Sequence, residues 1–349
     1  MSRRILFVIR GKLGDSLVAY ATVRAYADAF PQDAVTLLTR ANYAALLARE
    51  AGVRVLGFAS RLGLLAQLAR LRLCEPAFDA LLVLWAFGSP VRWIGRWTRA
   101  RRKVYLDDRH ADIYPEHAEV PREALQWEPM WRVARVFEPG LPPLERLHVP
   151  SLAALRRADA RAVGIAPLAD EARRIMGPAT LAQLVRGVQA RHPGAPVRVF
   201  VNPADRGAQA LLDAGLPAGA EFRFFPQLAD LLREFAELAC WYGTDTGLYH
   251  VAAAMGIPAT VFYGPTRSHT NMFPAQPGTC GMRLAVLGGA HCEEKTCTQP
   301  WCIAAAVAAF AGEPAPGTLS ATPAACPLRA HPPATLDTLA VYEGSRRKA

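Results

Sequence analysis

The sequence predicts an α/β protein made of two doubly wound domains with parallel sheets. Short apolar runs alternate with helical patterns along most of the chain, as in parallel strands joined by crossover helices. A proline-rich stretch, residues 137–150, interrupts the alternation, which then starts again. The length of 349 residues fits two domains of ordinary size. We therefore expect domains at 1–150 and 151–349, with a ligand in the cleft between the carboxyl ends of their strands.

The first domain starts with the apolar run Arg4–Ile9, which predicts a buried strand. The loop Arg10–Asp15 leads from it into a predicted helix that begins at Ser16 and ends at Ala29, before Pro31. The same alternation predicts strands at 35–38, 53–58, 80–84 and 104–106, and helices at 43–51 and 62–72.

The second domain repeats this arrangement. Its predicted strands are 162–166, 197–201, 222–225 and 259–262, and its predicted helices are 179–191, 208–214 and 228–239. The segment from about residue 280 to 333 is rich in cysteine, alanine and proline, and we expect it to be irregular.

Composition narrows the function classes. The chain is 52% apolar, which argues against disorder, and it has no apolar run long enough to span a membrane. The first apolar run is too short for a secretory signal, so we expect a cytoplasmic protein. The net charge of +10 favours an anionic partner. No zinc-finger or RNA-binding signature is present, so we expect no nucleic-acid partner.

Part of the positive charge is concentrated between Leu81 and Leu106, a stretch with six basic residues and no acidic one. Aromatic side chains are interleaved with these cations. The stretch is either a solvated helix face with its aromatics in the core, or a contact with an anionic membrane surface. The basic residues are Arg92, Arg96, Arg99, Arg101, Arg102 and Lys103, and the aromatic residues are Trp85, Trp93, Trp97 and Tyr105.

The seven cysteines give no clear metal or disulfide pattern. Cys74 and Cys240 lie in apolar contexts and are predicted to be buried thiols. The others form a late group in which a zinc site is conceivable, but CxxC spacing is absent and unlinked thiols are the simpler interpretation. This group consists of Cys280, Cys292, Cys297, Cys302 and Cys326.

The loop after the first strand carries a candidate catalytic acid. Gly11 and Gly14 are expected to let the backbone turn sharply, which places Asp15 near the start of the helix. Asp15 is either an ordinary helix N-terminal acid or a general base for an acceptor hydroxyl. The loop is neither GxxxxGK nor GxGxxG, which disfavours a dinucleotide oxidoreductase or epimerase.

A second loop, within Tyr242–His250, predicts an anion-binding strand–loop–helix. The free amides of Thr246 and Gly247 at the helix start, together with the hydroxyls of the two threonines that flank Asp245, favour a diphosphate. Asp245 has three alternative roles, which are to form an Asx-turn, to order the loop or to bind a sugar hydroxyl. His250 is either a partly buried histidine with satisfied hydrogen bonds or a donor to a phosphate oxygen. Arg173 and Arg174 lie in the first loop of the second domain. They are either solvent-facing arginines or cations that neutralise phosphate charge.

These motifs resemble those of the heptosyltransferases, the family 9 glycosyltransferases. Asp245-Thr-Gly-Leu-Tyr-His250, with Ala252–Gly256 and Phe262–Thr266, resembles the family's C-terminal signature, and Leu13-Gly-Asp15 resembles its N-terminal one. The resemblance implies a GT-B fold, two Rossmann-like domains around a central cleft. It also implies an inverting glycosyltransferase that moves a sugar from ADP-heptose, or a similar nucleotide-diphospho-sugar, to a lipopolysaccharide-core glycan.

The resemblance also suggests residue roles. Asp15 stands at the position of the catalytic base. The donor-side residues are Arg174, Asp245, Thr246, Gly247 and His250, and the acceptor-side candidates are Arg10, Lys12, Gly88, Ser89 and Arg92.

The partners implied are a nucleotide-sugar donor, an anionic glycolipid acceptor and the inner face of the membrane. No cofactor and no metal are required. The alternative on the same fold is a non-catalytic protein that binds a nucleotide sugar or a glycolipid.

Overall fold

The computed structural model describes residues 2–121, 124–144, 147, 149–264, 282–287, 301–312 and 339–343. The chain divides into two compact units, Met1–Ala154 and Leu155–Ala349, close to the boundary expected after residue 150. Each unit contains one sheet.

The first unit contains a six-stranded parallel sheet in the order β3-β2-β1-β4-β5-β6. This is the Rossmann order, in which the direction of winding reverses between β1 and β4. The strands are β1 (Arg4–Ile9), β2 (Ala34–Arg40), β3 (Val53–Phe58), β4 (Phe78–Trp85), β5 (Ala100–Tyr105) and β6 (Glu116–His117). The helices are α1 (Leu13–Ala29), α2 (Ala41–Leu47), α3 (Arg61–Cys74), α4 (Ser89–Trp97), α5 (Glu128–Phe137) and α6 (Pro150–Ala153).

The second unit repeats this order with one added edge strand, giving β13-β12-β11-β10-β7-β8-β9. Every pairing is parallel except that of β12 with β13, and the winding reverses between β7 and β10. The strands are β7 (Ala162–Ala166), β8 (Val197–Phe200), β9 (Ala220–Arg223), β10 (Leu238–Thr244), β11 (Ala259–Phe262), β12 (Met282–Leu287) and β13 (Leu339–Glu343). The helices are α7 (Pro178–Arg191), α8 (Ala208–Ala214), α9 (Leu228–Ala236), α10 (Gly247–Ala254) and α11 (Trp301–Ala311).

The predicted fold class is confirmed, and most differences concern where elements begin or end. The strand β1 is buried along Ile5–Ile9, as its continuous apolar run predicts. Helix α9 ends at Ala236 instead of residue 239, because the next apolar residues already belong to β10. Strand β5 starts four residues before its predicted start at Val104, since Arg102 is neutralised by an ion pair with Glu116 on β6.

The segment expected to be irregular, about 280–333, contains β12 and α11, and its other residues lie outside the described part of the chain. Helix α11 forms because its alanine-rich apolar sequence packs into the core of the second unit, where Ile303 and Val307 are buried. Among the described residues, none of the helices combines the length and apolar character needed to cross a bilayer.

A buried carboxylate, that of Asp33, links the residue before β1 to helix α1. Asp33 has a fully buried side chain that accepts hydrogen bonds from the Arg3 amide (3.0 Å), the Arg3 guanidinium (2.9 Å) and the Tyr26 hydroxyl (2.8 Å). Burial alone would raise the pKa of Asp33, but these donors more than offset it and hold the pKa below its usual value of 3.8. The network thus stabilises the folded state only while Asp33 is ionised.

Replacing Asp33 by Asn should lower the free energy of unfolding by about 1.5–3 kcal/mol, because a buried acceptor of charged hydrogen bonds is lost. The contribution is complete above the unfolded-state pKa near 4 and is lost as the pH falls through the lower folded-state pKa. Urea denaturation at pH 7 and at decreasing pH measures both effects. The matched control is Asp28→Asn, whose side chain is 65% exposed in an i,i+4 pair with Arg24, with an expected cost of only about 0.3–0.5 kcal/mol. An equal cost for the two variants would contradict this assignment.

Candidate functional site

The reversal of winding in the first unit brings together the loop after β1 and the end of β4. The amide of Arg10 donates to the carbonyl of Trp85 (2.6 Å), and the Arg10 guanidinium reaches the carbonyl of Phe87 (3.3 Å). Ligands of doubly wound sheets bind outside the strand carboxyl ends at such a point. Asp15, in the first turn of α1, lies in this region.

Asp15 is held by three neighbours. Its Oδ2 accepts from the amide of Lys12 at 3.4 Å, and its Oδ1 accepts from the Gln126 side chain at 3.3 Å. A further hydrogen bond comes from Trp85. The hydrogen bond from the Lys12 amide corresponds to one of the two roles suggested for Asp15 by the sequence, that of an ordinary acid at a helix N-terminus. The same carboxylate therefore has a structural partner on one oxygen and a side-chain donor on the other.

Burial raises the pKa of Asp15 above its usual value of 3.8, and the hydrogen bonds from Lys12, Trp85 and Gln126 only partly oppose this shift. A carboxylate with a raised pKa is a stronger base than an ordinary aspartate. The arrangement suits proton abstraction.

Gly11 is needed for a reason other than the predicted sharp turn. Neither Gly11 nor Gly14 has a positive φ, and Gly14 lies inside α1. A Cβ atom at Gly11 would lie 2.7 Å from both the Cβ of Asp15 and the ring of Trp85. The glycine allows the close approach of the loop to Asp15 and Trp85, so a side chain here would displace the candidate base.

The structure adds two arginines to the acceptor-side candidates. Arg10, Arg40 and Arg61 line a cavity of about 430 Å³ at the carboxyl ends of β1, β2 and β3. Burial and the charges of Arg40 and Arg61 lower the pKa of Arg10, which shows that the three cations are close. In the described part of the chain, none of the three forms an ion pair with a carboxylate. The cavity, which we call the three-arginine pocket, is suited to a phosphate or carboxylate group.

The remaining acceptor-side candidates lie at the start of α4 or in the loop after β1. Gly88 caps α4 with a φ of 76°, a conformation that favours glycine, and Ser89 is the first residue of that helix. Arg92 is engaged in an ion pair with Asp112 at 2.6 Å. Lys12 precedes α1 directly. Arg92 is therefore already neutralised, whereas Arg10 is not.

Most cations of the basic stretch around α4 also have partners, which favours the interpretation as a solvated face for these side chains. Arg101 pairs with Asp79, and Arg102 pairs with Glu116. Arg99 and Lys103 donate to backbone carbonyls. Arg96 is exposed and forms no ion pair with a described carboxylate.

The reversal of winding in the second unit brings Arg174 against Asp245. Arg174 follows β7 in a short turn, and its Nη1 donates to the Asp245 carboxylate (3.0 Å) and backbone carbonyl (3.1 Å). Its Nη2 donates to Glu171 at 2.9 Å. The Nε of Arg174 is buried and has no hydrogen-bond partner among the described residues. Arg174 thus joins the loops after β7 and β10 and keeps an unused donor.

The N-terminus of α10 lies directly after Asp245. Thr246 is the N-cap, and its side chain makes no capping hydrogen bond, so it does not occupy the first-turn amides. Gly243, at the end of β10, could not carry a Cβ, which would lie 2.4 Å from the carbonyl oxygen of Ala166. The small residue lets β10 and β7 come together directly beneath this loop. The first-turn amides of α10 are suited to an anion. Arg174 is already paired with Asp245 and Glu171, so it contributes a hydrogen-bond donor, its Nε, and not a net positive charge.

His250 is fully buried, and burial lowers its pKa to about 3. It is therefore a neutral ring at physiological pH and supplies no positive charge. Its Nδ1 has no hydrogen-bond partner among the described residues. The buried hydroxyl of Thr244, one strand residue before Asp245, is also without a partner there. The sequence suggested a phosphate-binding role both for His250 and for the hydroxyls of the two threonines that flank Asp245, and the structure buries Thr244 and His250.

The cysteines show one correction. Cys74 is exposed at the end of α3 and Cys240 is half-buried, so the prediction that both are buried is wrong for Cys74. It fails because Cys74, like Leu73 before it, lies on the exposed side of the last turn of α3. Cys302 is buried on α11, whereas Cys280, Cys292, Cys297 and Cys326 lie outside the described residues. Within the described ranges, no group of three or more potential metal-ligating side chains is found.

Comparison with solved structures decides the fold. The chain resembles heptosyltransferase II of E. coli (ADP-heptose LPS heptosyltransferase II) with a TM-score of 0.62 and 19% identity, covering 88% of this chain and 98% of that one. The chain has the GT-B fold of the heptosyltransferases. No protein-family model matches its sequence, and no curated protein does.

Two further solved structures support the same fold assignment. The E. coli heptosyltransferase WaaC, with ADP-2-deoxy-2-fluoro heptose, has a TM-score of 0.63 and 16% identity, over 79% of this chain and 94% of that one. A family 9 glycosyltransferase from Veillonella parvula has a TM-score of 0.63 and 13% identity, over 76% of this chain and 81% of that one. The resemblance noted from the sequence motifs is thus confirmed at the level of the fold.

Proposed function

We propose that this protein is an inverting glycosyltransferase that uses a nucleotide-diphospho-sugar as its donor, and that this donor is ADP-heptose. The observation that carries the proposal is the pairing of Arg174 with Asp245 beside the N-terminus of α10. The fold supports it, since WaaC structures with ADP and with an ADP-heptose analogue share this fold. The proposed acceptor is an anionic glycolipid of the lipopolysaccharide-core type, located at the cytoplasmic face of the inner membrane.

On the donor side, the amides of Thr246 and Gly247 and the free Nε of Arg174 bind the diphosphate. As the bond from the anomeric carbon to the phosphate oxygen breaks, negative charge grows on the leaving diphosphate. Fixed donors that point at this charge lower the barrier. Asp245 holds the guanidinium of Arg174 in place, which is a positioning role. The scheme uses no metal and no cofactor.

On the acceptor side, Asp15 removes the proton from the attacking hydroxyl. The oxygen then forms the new bond to the anomeric carbon from the side opposite to the diphosphate, so the configuration inverts. The carboxylate must come within hydrogen-bond distance of the hydroxyl during the reaction. The proton ends on Asp15, and the electrons of the broken bond leave with the nucleotide diphosphate.

The three-arginine pocket supports an acceptor that carries a phosphate or carboxylate group. Its charge of three cations is not offset by an ion pair with a described carboxylate. Arg10 belongs to the loop that leads to Asp15. An anion bound to Arg10 would therefore lie near the proposed base.

A thermal-shift screen tests the donor. We expect ADP-heptose to raise the melting temperature more than GDP-, UDP- or dTDP-sugars do, because a ligand that binds only the folded state stabilises it by mass action. At 100 times Kd the expected stabilisation is about 2.7 kcal/mol. Inorganic pyrophosphate serves as a control for charge alone. Equal shifts for all nucleotides, or none, would contradict a dedicated donor site.

A non-catalytic binding protein remains the second candidate, because Asp15 also performs an ordinary helix N-terminal role through its bond to Lys12. Such a protein would bind the donor without releasing nucleotide diphosphate in the presence of any acceptor. Release of ADP that requires both donor and acceptor distinguishes the enzyme from the binder.

A further inference from the structure

An exposed aromatic side chain, that of Phe87, lies close to Asp15 and has no part in the chemistry proposed so far. Phe87 follows β4 and is 41% exposed. Its ring packs edge-on against Trp85, with the ring centroids 4.8 Å apart and the ring planes at 86°. The indole of Trp85 in turn donates a hydrogen bond to Asp15. A single indole therefore separates the exposed phenyl ring from the candidate base.

The loop that carries Phe87 is held at three successive carbonyl groups. The Arg10 amide donates to the carbonyl of Trp85 at 2.6 Å, and the Tyr105 hydroxyl donates to the carbonyl of Ala86 at 2.7 Å. The Arg10 guanidinium donates to the carbonyl of Phe87 at 3.3 Å. Because the backbone is fixed in this way, a ligand that contacts the phenyl ring orders little additional structure, and the entropic cost of binding is small.

A single exposed apolar side chain is ordinary on a protein surface and by itself indicates no function. Phe87 differs because of its neighbours. Arg10, which holds its carbonyl, also lines the three-arginine pocket, and Trp85 connects its ring to Asp15. An anion site, a flat apolar ring and a candidate base thus lie together at the carboxyl ends of β1 and β4. Binding sites commonly combine an apolar surface with a few polar groups that fix the orientation of the ligand.

We infer that Phe87 is the platform on which a sugar ring of the acceptor stacks. A pyranose ring has a face of C–H groups that packs on an aromatic ring, while its hydroxyl groups project around the rim. With this face on Phe87, an anionic substituent of the sugar binds Arg10 and a hydroxyl at the rim approaches Asp15. The occupant is an anionic sugar, because the phenyl ring requires an apolar face and the arginines require an anion. The inference rests on the proposed function and names the part of the acceptor that this loop binds.

Direct binding tests the platform separately from the transfer reaction. The probe is a lipopolysaccharide-core glycan freed of its acyl chains, titrated into the full chain without donor and followed by calorimetry. Phe87→Ala should weaken binding roughly three- to eightfold, because the glycan no longer buries the exposed part of the phenyl ring. Phe87→Tyr keeps the flat ring and should bind within about twofold of the unmodified protein. Phe87→Leu keeps an apolar contact with Trp85 but has no flat face, so it should bind more weakly than Phe87→Tyr.

Trp97→Ala is the matched control. Trp97 is another aromatic residue of the first unit, it is 43% exposed, and it is the last residue of α4, whereas Phe87 precedes that helix. Its replacement should leave the affinity for the glycan unchanged. Melting temperatures verify that all the variants fold, and titration with ADP should give the same donor affinity for each of them.

The kinetics of transfer distinguish stacking from an indirect effect through Trp85. A platform that contacts the acceptor equally before and during the reaction should, when removed, raise the acceptor KM and leave kcat within about twofold. The acidic limb of the pH profile of kcat, which reports Asp15, should then be the same for Phe87→Ala and the unmodified protein. A displaced limb with unchanged glycan affinity would make Phe87 only a support for Trp85 and would overturn the inference.

Two binding results would also overturn it. One is no binding of the glycan by the unmodified protein, and the other is an affinity that Phe87→Ala leaves unchanged or weakens no more than Trp97→Ala does. Failure of the proposed glycosyl transfer would look different. Phe87→Ala would still weaken glycan binding, but no ADP would be released from ADP-heptose, and the platform would belong to a non-catalytic glycan-binding protein.

Discussion

Replacing Asp15 by Asn is expected to lower kcat by roughly 10²–10⁴ while donor affinity stays unchanged, since general-base catalysis contributes about that much. The carboxamide has nearly the same shape, and its oxygen can still accept the hydrogen bond from the Lys12 amide. It cannot accept a proton from the acceptor hydroxyl. The loss should therefore be seen in the rate of ADP release with donor and acceptor at saturation, and not in donor binding.

The pH profile gives a second readout of the same residue. A base must be deprotonated, so kcat/KM should fall as the pH drops through the pKa of Asp15, starting at a higher pH than for an ordinary aspartate. Gln126→Ala removes a donor that lowers this pKa, so the acidic limb should move to still higher pH. Asp28→Asn, on the same helix but exposed, is the matched control and should leave both kcat and the profile unchanged. Full turnover of the Asp15→Asn variant would remove this residue from the role of base.

Replacing Arg174 by Gln is expected to weaken donor binding by roughly 10- to 100-fold, which corresponds to the loss of one charge-assisted interaction with the diphosphate. The same variant should lower kcat as well, because charge on the leaving group is less stabilised in the transition state. Glutamine keeps a polar side chain but loses the positive charge that holds Asp245. Isothermal titration with ADP measures the binding loss without the need for an acceptor.

The adjacent arginine provides the control for this prediction. Arg173 pairs with Glu171. Arg174 donates to the backbone carbonyl of Asp245 at 3.1 Å and to its carboxylate at 3.0 Å. Arg173→Gln should therefore have a clearly smaller effect on ADP affinity than Arg174→Gln. Equal affinities of the unmodified protein and the Arg174→Gln variant would exclude Arg174 from the donor site.

The fold could be predicted because buried parallel strands carry continuous apolar runs that need no tertiary information. Arg4–Ile9 and Ala162–Ala166 were predicted with the bounds that the structure has. Strand β5 was predicted too short, because its first half is basic and depends on a partner, Glu116, that is 14 residues away from Arg102 in sequence. A local pattern cannot show that such a charge will be neutralised.

The candidate site could be predicted only in part. Asp15 and the loop at Asp245 each follow an apolar strand directly, so their positions at strand ends could be predicted from local order. Arg40 and Arg61 could not be grouped with Arg10, because that requires the spatial order β3-β2-β1, which is the reverse of the sequence order. The need for glycine at position 11 also depends on Trp85, which only the pairing of β1 with β4 brings near.

The most direct test of the account is a crystal structure of the protein with ADP bound. We expect the diphosphate oxygens to lie within hydrogen-bond distance of the Thr246 and Gly247 amides and of the Arg174 guanidinium. ADP bound in the three-arginine pocket of the first unit, with Arg174 contacting only Asp245 and Glu171, would contradict it.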